Sequence, residues 1–214
     1  MRGMLALLLI LVVFSFILPA VVPLGTPWRL ATDVSLTLIV VAGIVAIADR
    51  RRLAVALGVV GVLVVAVRWS EWIAPTGLHP SVRDLLTLCA LTMLAFAVGM
   101  NVFGSGRALR DRIFGAIVLY LLLGLIWALV YAVVDVFAPG AFAGRSETGE
   151  DTTDWVYFSF VTLTTVGYGD IVPVSRIVRS LCILEALVGQ LYPAVIIARL
   201  VSLEFAQPTD STLR

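Results

Sequence analysis

Apolar residues run along this chain in long blocks broken by short charged stretches, a pattern unlike the one-sided or alternating order of a soluble domain. The blocks are Met4 to Val22, Leu30 to Ala48, Leu53 to Ile73, Leu85 to Phe103, Ile113 to Phe137 and Val174 to Phe205. A membrane span takes about 20 residues, with tolerance for tilt, and each block meets that length. The first follows Arg2 and could be read as a signal peptide. It exceeds the usual signal core of about 7–15 residues, and no small-x-small cleavage site ends it, so it is read as a retained span. Trp28 precedes the second block and suits an interface anchor, and Asp33 lies near that block's outer end. Arg68, Trp69, Glu71 and Trp72 close the third as an interfacial mixture.

Composition agrees with a membrane protein. Hydrophobic residues make up 61% of the 214 and charged residues 14%, against roughly half and a quarter in a soluble domain. Mean hydropathy is +1.07. The net charge is +1, and no basic stripe fits a phosphate backbone, so nucleic acid is not an expected partner. Cys89 and Cys182 fall inside apolar blocks and read as small core residues, not as a disulfide or a metal pair. His79, in a polar loop, is read as an ordinary surface residue.

Arginine is unevenly shared between the loops. One side carries Arg2, Arg50, Arg51, Arg52, Arg107, Arg110 and Arg112, with Arg199 and Arg214 toward the end of the chain. The other carries Arg29, Arg68, Arg83 and Arg145. The richer side should face the cytoplasm. An even number of spans then puts both termini there, in a multi-pass protein of the plasma membrane.

The segment from Asp154 to Thr164 is apolar and aromatic but too short to cross a bilayer, and reads as a re-entrant helix. Thr152, Thr153 and Asp154 suit its N-cap and first turn. It must stop before Gly167 and Gly169, which flank Tyr168. Both glycines can take positive φ without a Cβ clash. Unwound backbone at membrane depth is tolerated only where it is buried in protein or lines a cavity.

Thr164-Thr165-Val166-Gly167-Tyr168-Gly169-Asp170 resembles the selectivity-filter signature of potassium channels. The resemblance implies an all-α transmembrane fold with six spanning helices, one re-entrant pore helix and a filter loop, assembled as a tetramer. It implies that the carbonyls of Thr165, Val166, Gly167 and Tyr168, with the Thr165 hydroxyl, replace the hydration shell of potassium, and that Gly169 completes the filter strand. Val166 and Tyr168 would turn away from the axis and pack on the pore helix. Thr164, Asp154 and Asp170 would support the filter and its outer mouth. Asp170 with Glu147, Glu150, Asp151 and Asp154 would ring that mouth, partly offset by Arg145 and Arg176; a solvated acidic loop is the plainer alternative. The motif occurs once, so a homotetramer is implied, and a tandem-loop transporter is not.

The implied layout is a four-span region over 1–106, a pore domain over 107–205 and a short cytoplasmic tail over 206–214. Within the pore domain the outer helix covers about 113–137, the pore helix about 154–164, the filter 165–169 and the inner helix about 174–205. Gly189 stands where many family members carry an inner-helix glycine, and Pro193 cannot donate to its carbonyl. The pair reads as a hinge or a fixed bend, and glycine for close packing is the alternative. Glu185, an acid within a span, either faces the cavity or bonds behind the pore helix or to Gln190 or Tyr192 of a neighbouring subunit.

Leu85 to Phe103 carries no charge, so an intrinsic voltage sensor is not expected. The short tail is not expected to hold a ligand-binding domain, and the small chain suits a prokaryotic membrane. No HExxH motif or His/Cys cluster supports an enzyme, and no cofactor is expected beside the permeating ion. The sequence therefore reads as a passive potassium channel subunit. A weakly selective cation channel and a non-conducting membrane subunit are the alternatives.

Overall fold

The computed structural model describes residues 2–23, 26–73, 80–104, 109–144 and 152–205. It is almost wholly helical. In chain order it contains α1 (Arg2–Val12), a π-helical turn (Val13–Ile17), α2 (Leu18–Val21), α3 (Thr26–Ala46), α4 (Arg51–Ile73), α5 (Pro80–Phe103), α6 (Leu109–Phe137), β1 (Phe142–Ala143), α7 (Thr152–Leu163), β2 (Val172–Pro173) and α8 (Arg176–Phe205). Among the described residues, six helical segments are long and apolar enough to span a membrane. The chain is a multi-pass, all-α membrane protein.

The first span widens into a π turn four residues ahead of Pro19. Proline has no N–H for the preceding turn and its ring crowds the carbonyl there, and the wider turn absorbs that clash. Leu7 and Leu11 on this span are fully enclosed against the rest of the core. Phe16 reaches the pore unit, its ring centroid 5.3 Å from that of Phe160 on α7.

Two sequence expectations are corrected here. Trp28 is buried, so it packs inside the bundle and does not anchor at the interface. Its helix starts at Thr26, ahead of Leu30, which places the indole within the first turns. Cys89 is exposed on α5 and faces away from the core, and Cys182 is only half-buried; both are free thiols. His79 lies outside the described residues.

The group read as interfacial is a network between helices. Arg68 Nε donates to Asp33 Oδ1 at 2.5 Å, Trp72 Nε1 donates to Asp33 Oδ2 at 2.9 Å, and Trp69 Nε1 donates to Thr37 Oγ1 at 3.2 Å. The Asp33–Arg68 pair is nearly enclosed, with side chains 8% and 10% exposed. Both oxygens of Asp33 are used, which is the condition for an ion pair to be tolerated away from water. At the other end of the bundle, Arg50 binds the last turn of α5 through Asn101 Oδ1 at 2.9 Å and the Met100 carbonyl at 3.2 Å.

Within the pore unit, α7 lies against α6 at Gly124. A Cβ there would meet the Phe160 ring at 2.6 Å, so only glycine allows this approach. Strands β1 and β2 pair antiparallel, Phe142 opposite Pro173 and Ala143 opposite Val172. They tie the exit of α6 to the chain after the filter motif. The inner helix begins at Arg176, two residues later than the apolar block, because Val172–Pro173 is used as strand and Ser175 Oγ caps the helix through the Val178 amide at 3.3 Å.

Breaking a buried ion pair by removing one partner costs about 3–5 kcal/mol, since the other charge stays buried. Asp33→Ala is expected to lower stability by that order. Asp33→Ala with Arg68→Ala should recover a large part of the loss, and thermal unfolding in detergent of the single and double variants measures both.

Candidate functional site: the filter strand and its supports

Helix α7 carries Asp154 in its first turn and ends at Leu163. Its last turn is closed by the filter motif itself. The Thr165 amide donates to the Thr162 carbonyl at 2.9 Å and the Val166 amide to the Val161 carbonyl at 3.0 Å. These two bonds define a Schellman ending, in which a left-handed residue reverses the chain. That residue is Thr165, with φ +59°. Glycine usually occupies this position, and a β-branched residue there is strained. The Gly167 amide also reaches the Val161 carbonyl, at 3.3 Å.

Left-handed backbone recurs at Gly167 (φ +58°) and Gly169 (φ +81°), while Val166 and Tyr168 keep negative φ. Such alternation lets successive carbonyls share one side of a strand, the requirement for a ladder of oxygen ligands. The first amides of the strand are occupied by the helix end, and among the described residues no backbone amide is bonded to the carbonyls of 165–169.

Side chains brace the strand from the pore helix. The Tyr168 ring stacks parallel to Tyr157, with centroids 6.5 Å apart and an interplanar angle of 2°. The Tyr157 hydroxyl donates to Asp170 Oδ2 at 2.6 Å, and the Ile171 amide donates to Asp170 Oδ1 at 3.0 Å. Thr164 Oγ1 donates to the Phe160 carbonyl at 2.6 Å. Asp170 is held below the usual carboxylate range, chiefly by the Tyr157 hydrogen bond. The same bond is the main cause that pushes the Tyr157 phenol up to about 12. Val166 and Tyr168 remain exposed in the single chain.

On the inner helix, Glu185 is fully buried behind α7. Its Oε2 accepts from Tyr131 at 2.5 Å, and its Oε1 lies 2.6 Å from Ser159 Oγ. It thus bonds behind the pore helix, one of the placements considered from sequence, and within its own chain it meets neither Gln190 nor Tyr192. Gln190 Nε2 instead donates to Thr165 Oγ1 at 2.8 Å, and the Tyr192 hydroxyl donates to the Ala116 carbonyl at 2.8 Å. Gly189 faces the end of the pore helix, where a Cβ would come within 1.8 Å of the Leu163 carbonyl oxygen. Helix α8 continues through Pro193.

Thus Thr164 to Gly167 and Gly189 gather at the C-terminal end of α7, Glu185 meets its middle at Ser159, and Tyr168 and Asp170 run back along it to Tyr157, toward the first turn that holds Asp154. Glu147, Glu150, Asp151 and Arg145 lie outside the described residues, and Arg176 is the first residue of α8. Sequence reasoning missed Tyr157, Ser159, Tyr131 and the contact of Gln190 with Thr165. The available signal was polarity: Ser159 is flanked by phenylalanines in the short helix, and Gln190 adjoins the inner-helix glycine.

An unwound strand with alternating left-handed residues, hung from a re-entrant helix between two spans, defines the pore unit of an ion channel. The ion channel family model matches residues 113–205. Protein LctB of Bacillus caldotenax is 33% identical over 107 residues, covering 48% of this chain and 79% of that protein. The inward rectifier potassium channel Kirbac3.1 of Paramagnetospirillum magnetotacticum is 35% identical over 99 residues, covering 44% of this chain and 30% of that one. Protein LctB of Geobacillus stearothermophilus is 38% identical over 80 residues, covering 35% of this chain and 59% of its own length. No solved structure matches. The chain belongs to the ion channel family that this model describes and is an ion channel protein.

Two predictions follow from this geometry. Asp170 has a depressed folded pKa, so its contribution is present above the ordinary carboxylate range and is lost as pH falls through its lowered value. Tyr157 has a raised one, so its contribution is complete below about 10 and is lost as pH rises through about 12. Tyr157→Phe removes both, and its thermal midpoint should fall relative to the parent between those limits and converge with it at the acid extreme. Gly189→Ala should lower stability and disturb the filter through the Leu163 carbonyl even in a closed channel, whereas Pro193→Ala leaves that contact intact. Thermal unfolding of the two variants separates packing from bending, and an equal effect of both would contradict the packing assignment.

Proposed function

We propose that this protein is the pore-forming subunit of a homotetrameric channel that passes potassium selectively and passively across the plasma membrane. The observation that carries the reading is the backbone of the filter strand. Left-handed residues alternate through Thr165, Gly167 and Gly169 in a TTVGYGD sequence held at the end of a re-entrant helix. Potassium would be coordinated by Thr165, Val166, Gly167 and Tyr168, four copies around one axis. It is the permeating ion, not a resident cofactor.

Two surfaces support assembly with further copies. Helix α8 exposes Ile183, Leu184, Leu187, Leu191 and Val195 along its length. Beside it, an open apolar groove of about 870 Å³ runs between the first span and α7, lined among others by Phe16, Tyr157, Phe160 and Val166. A neighbouring pore unit would cover both.

In this reading residues 1–106 form a four-span region around the pore domain of 107–205, and both termini are cytoplasmic. Asp154 and Asp170 belong to the outer mouth. The Gly189–Pro193 segment is a bend set by helix packing, and its movement is part of the proposal only as far as Pro193 permits it. Arg68 is paired with Asp33 within the described spans, and Leu85 to Phe103 is free of charge, which supports gating without an intrinsic voltage sensor.

Flux from liposomes holding the purified protein tests the function, with sodium as the comparison ion. The expected result is potassium flux well above sodium flux, abolished in Gly167→Ala, since φ +58° there disfavours any side chain. Equal sodium flux would replace this reading with a weakly selective cation channel. Absence of flux for both ions at every voltage and pH would favour a non-conducting membrane subunit.

A further inference from the structure

Glu185, Tyr131 and Ser159 are each fully enclosed, at 0% exposure, where α8, α6 and α7 meet. Three short oxygen–oxygen contacts link them to one another and to the backbone. Tyr131 Oη lies 2.5 Å from Glu185 Oε2, Ser159 Oγ lies 2.6 Å from Glu185 Oε1, and the same Ser159 Oγ lies 2.7 Å from the Gly124 carbonyl oxygen. Each contact at this distance needs a proton between its oxygens.

The protons can be counted. The phenol brings one, the serine hydroxyl brings one, and the carbonyl brings none. If Glu185 were ionised, two protons would serve three contacts. One pair of oxygens would then meet lone pair to lone pair, too close for anything to lie between them, beside a buried negative charge. A protonated carboxyl supplies the missing proton. Glu185 Oε1 then donates to Ser159 Oγ, Ser159 Oγ donates to the Gly124 carbonyl, and Tyr131 donates to Glu185 Oε2. Each of the three contacts then holds one proton.

The surroundings favour the same state. Among the described residues no cationic side chain pairs with Glu185, and its ionisable neighbours are Tyr131 and Tyr120 of α6 and Cys182 of its own helix. None of these offers a positive charge. An isolated carboxylate transferred from water to such a site is far less stable than the neutral acid.

We propose that Glu185 is a neutral carboxylic acid, and that its proton links α6, α7 and α8 by fixing Ser159 against the Gly124 carbonyl beneath the filter. Glu185 is a positioning residue and touches no permeating ion. Its side chain acts as a hydrogen-bond donor toward the pore helix, a role a carboxylate cannot fill.

The test is infrared spectroscopy on the full chain in liposomes at neutral pH, with Glu185→Gln as the reference. The wild type minus Glu185→Gln difference spectrum is expected to contain the C=O stretch of a protonated carboxyl, shifted in heavy water, and to lack the paired bands of a carboxylate. Glutamine offers an N–H toward Ser159 and a C=O toward Tyr131, so Glu185→Gln should keep the thermal midpoint of the parent. Glu185→Ala, which leaves Ser159 and Tyr131 without partners, should lose a large part of it. Carboxylate bands in the difference spectrum would overturn the proposal. So would a Glu185→Gln variant as damaged as Glu185→Ala, or one that does not fold. Neither readout depends on ion flux, so a failure of the proposed conductance would leave this inference standing, and the reverse also holds.

Discussion

A strand without regular secondary structure at membrane depth must find a partner for every amide, because the hydrocarbon offers none. In this chain the last turn of α7 supplies partners for the first three. Helix ends carry unsatisfied carbonyls, and those of Val161 and Thr162 accept the amides of Thr165, Val166 and Gly167. One local solution meets two deficits, the open carbonyls of the helix and the open amides of the strand. It also dictates the unusual backbone at Thr165, since a Schellman ending needs a left-handed residue. The strain of a threonine at that position is retained where a glycine would relieve it. Only threonine or serine keeps a hydroxyl there, and Gln190 holds that hydroxyl in place.

Everything else in the pore unit keeps α7 where this ending is useful. Glycine 124 lets Phe160 close on α6, and Gly189 lets α8 reach the Leu163 carbonyl. Glu185 and Ser159 lock the three helices together between those points. Tyr157 and Asp170 hold the outer end of the strand, and the β1–β2 pair returns the chain to α6. Small residues and satisfied polar groups do this work because hydrophobic association between helices is weak in lipid.

The sequence disclosed the spans and the unwound strand after α7 well, for physical reasons. Apolar length identifies a span directly, and the Gly-Tyr-Gly pattern allows the backbone that the structure adopts. It disclosed the supports poorly. Trp28 has the composition of an interface anchor, yet its burial depends on how α3 packs, which no local pattern records. Arg68, Trp69 and Trp72 have the composition of a membrane interface, yet Asp33 and Thr37 on another helix claim them. Glu185 was visible as an anomaly, but its partners Tyr131 and Ser159 lie 54 and 26 residues away in sequence. A span reports its own hydrophobicity, while a hydrogen bond between spans depends on rotation and register that only the folded bundle sets.

The same division bears on how the four N-terminal spans meet the pore. At the end of the bundle away from the filter, Arg199 of α8 donates to the Phe103 carbonyl at 2.5 Å, and its guanidinium lies 4.9 Å from the Phe103 ring centroid. Phe103 closes α5, so a cation from the inner helix sits on the negative end of the last N-terminal span. Arg50 grips the preceding turn of the same helix end. Near the filter, the link between the two regions is apolar, through Phe16 and Phe160. Apolar contacts in lipid lack a defined register, whereas a charge-assisted bond at a helix end defines one. Displacement of α5 would therefore reach the pore unit more strongly at the end away from the filter strand than beside it. A region joined in this way can restrain the inner helix at that end of the bundle.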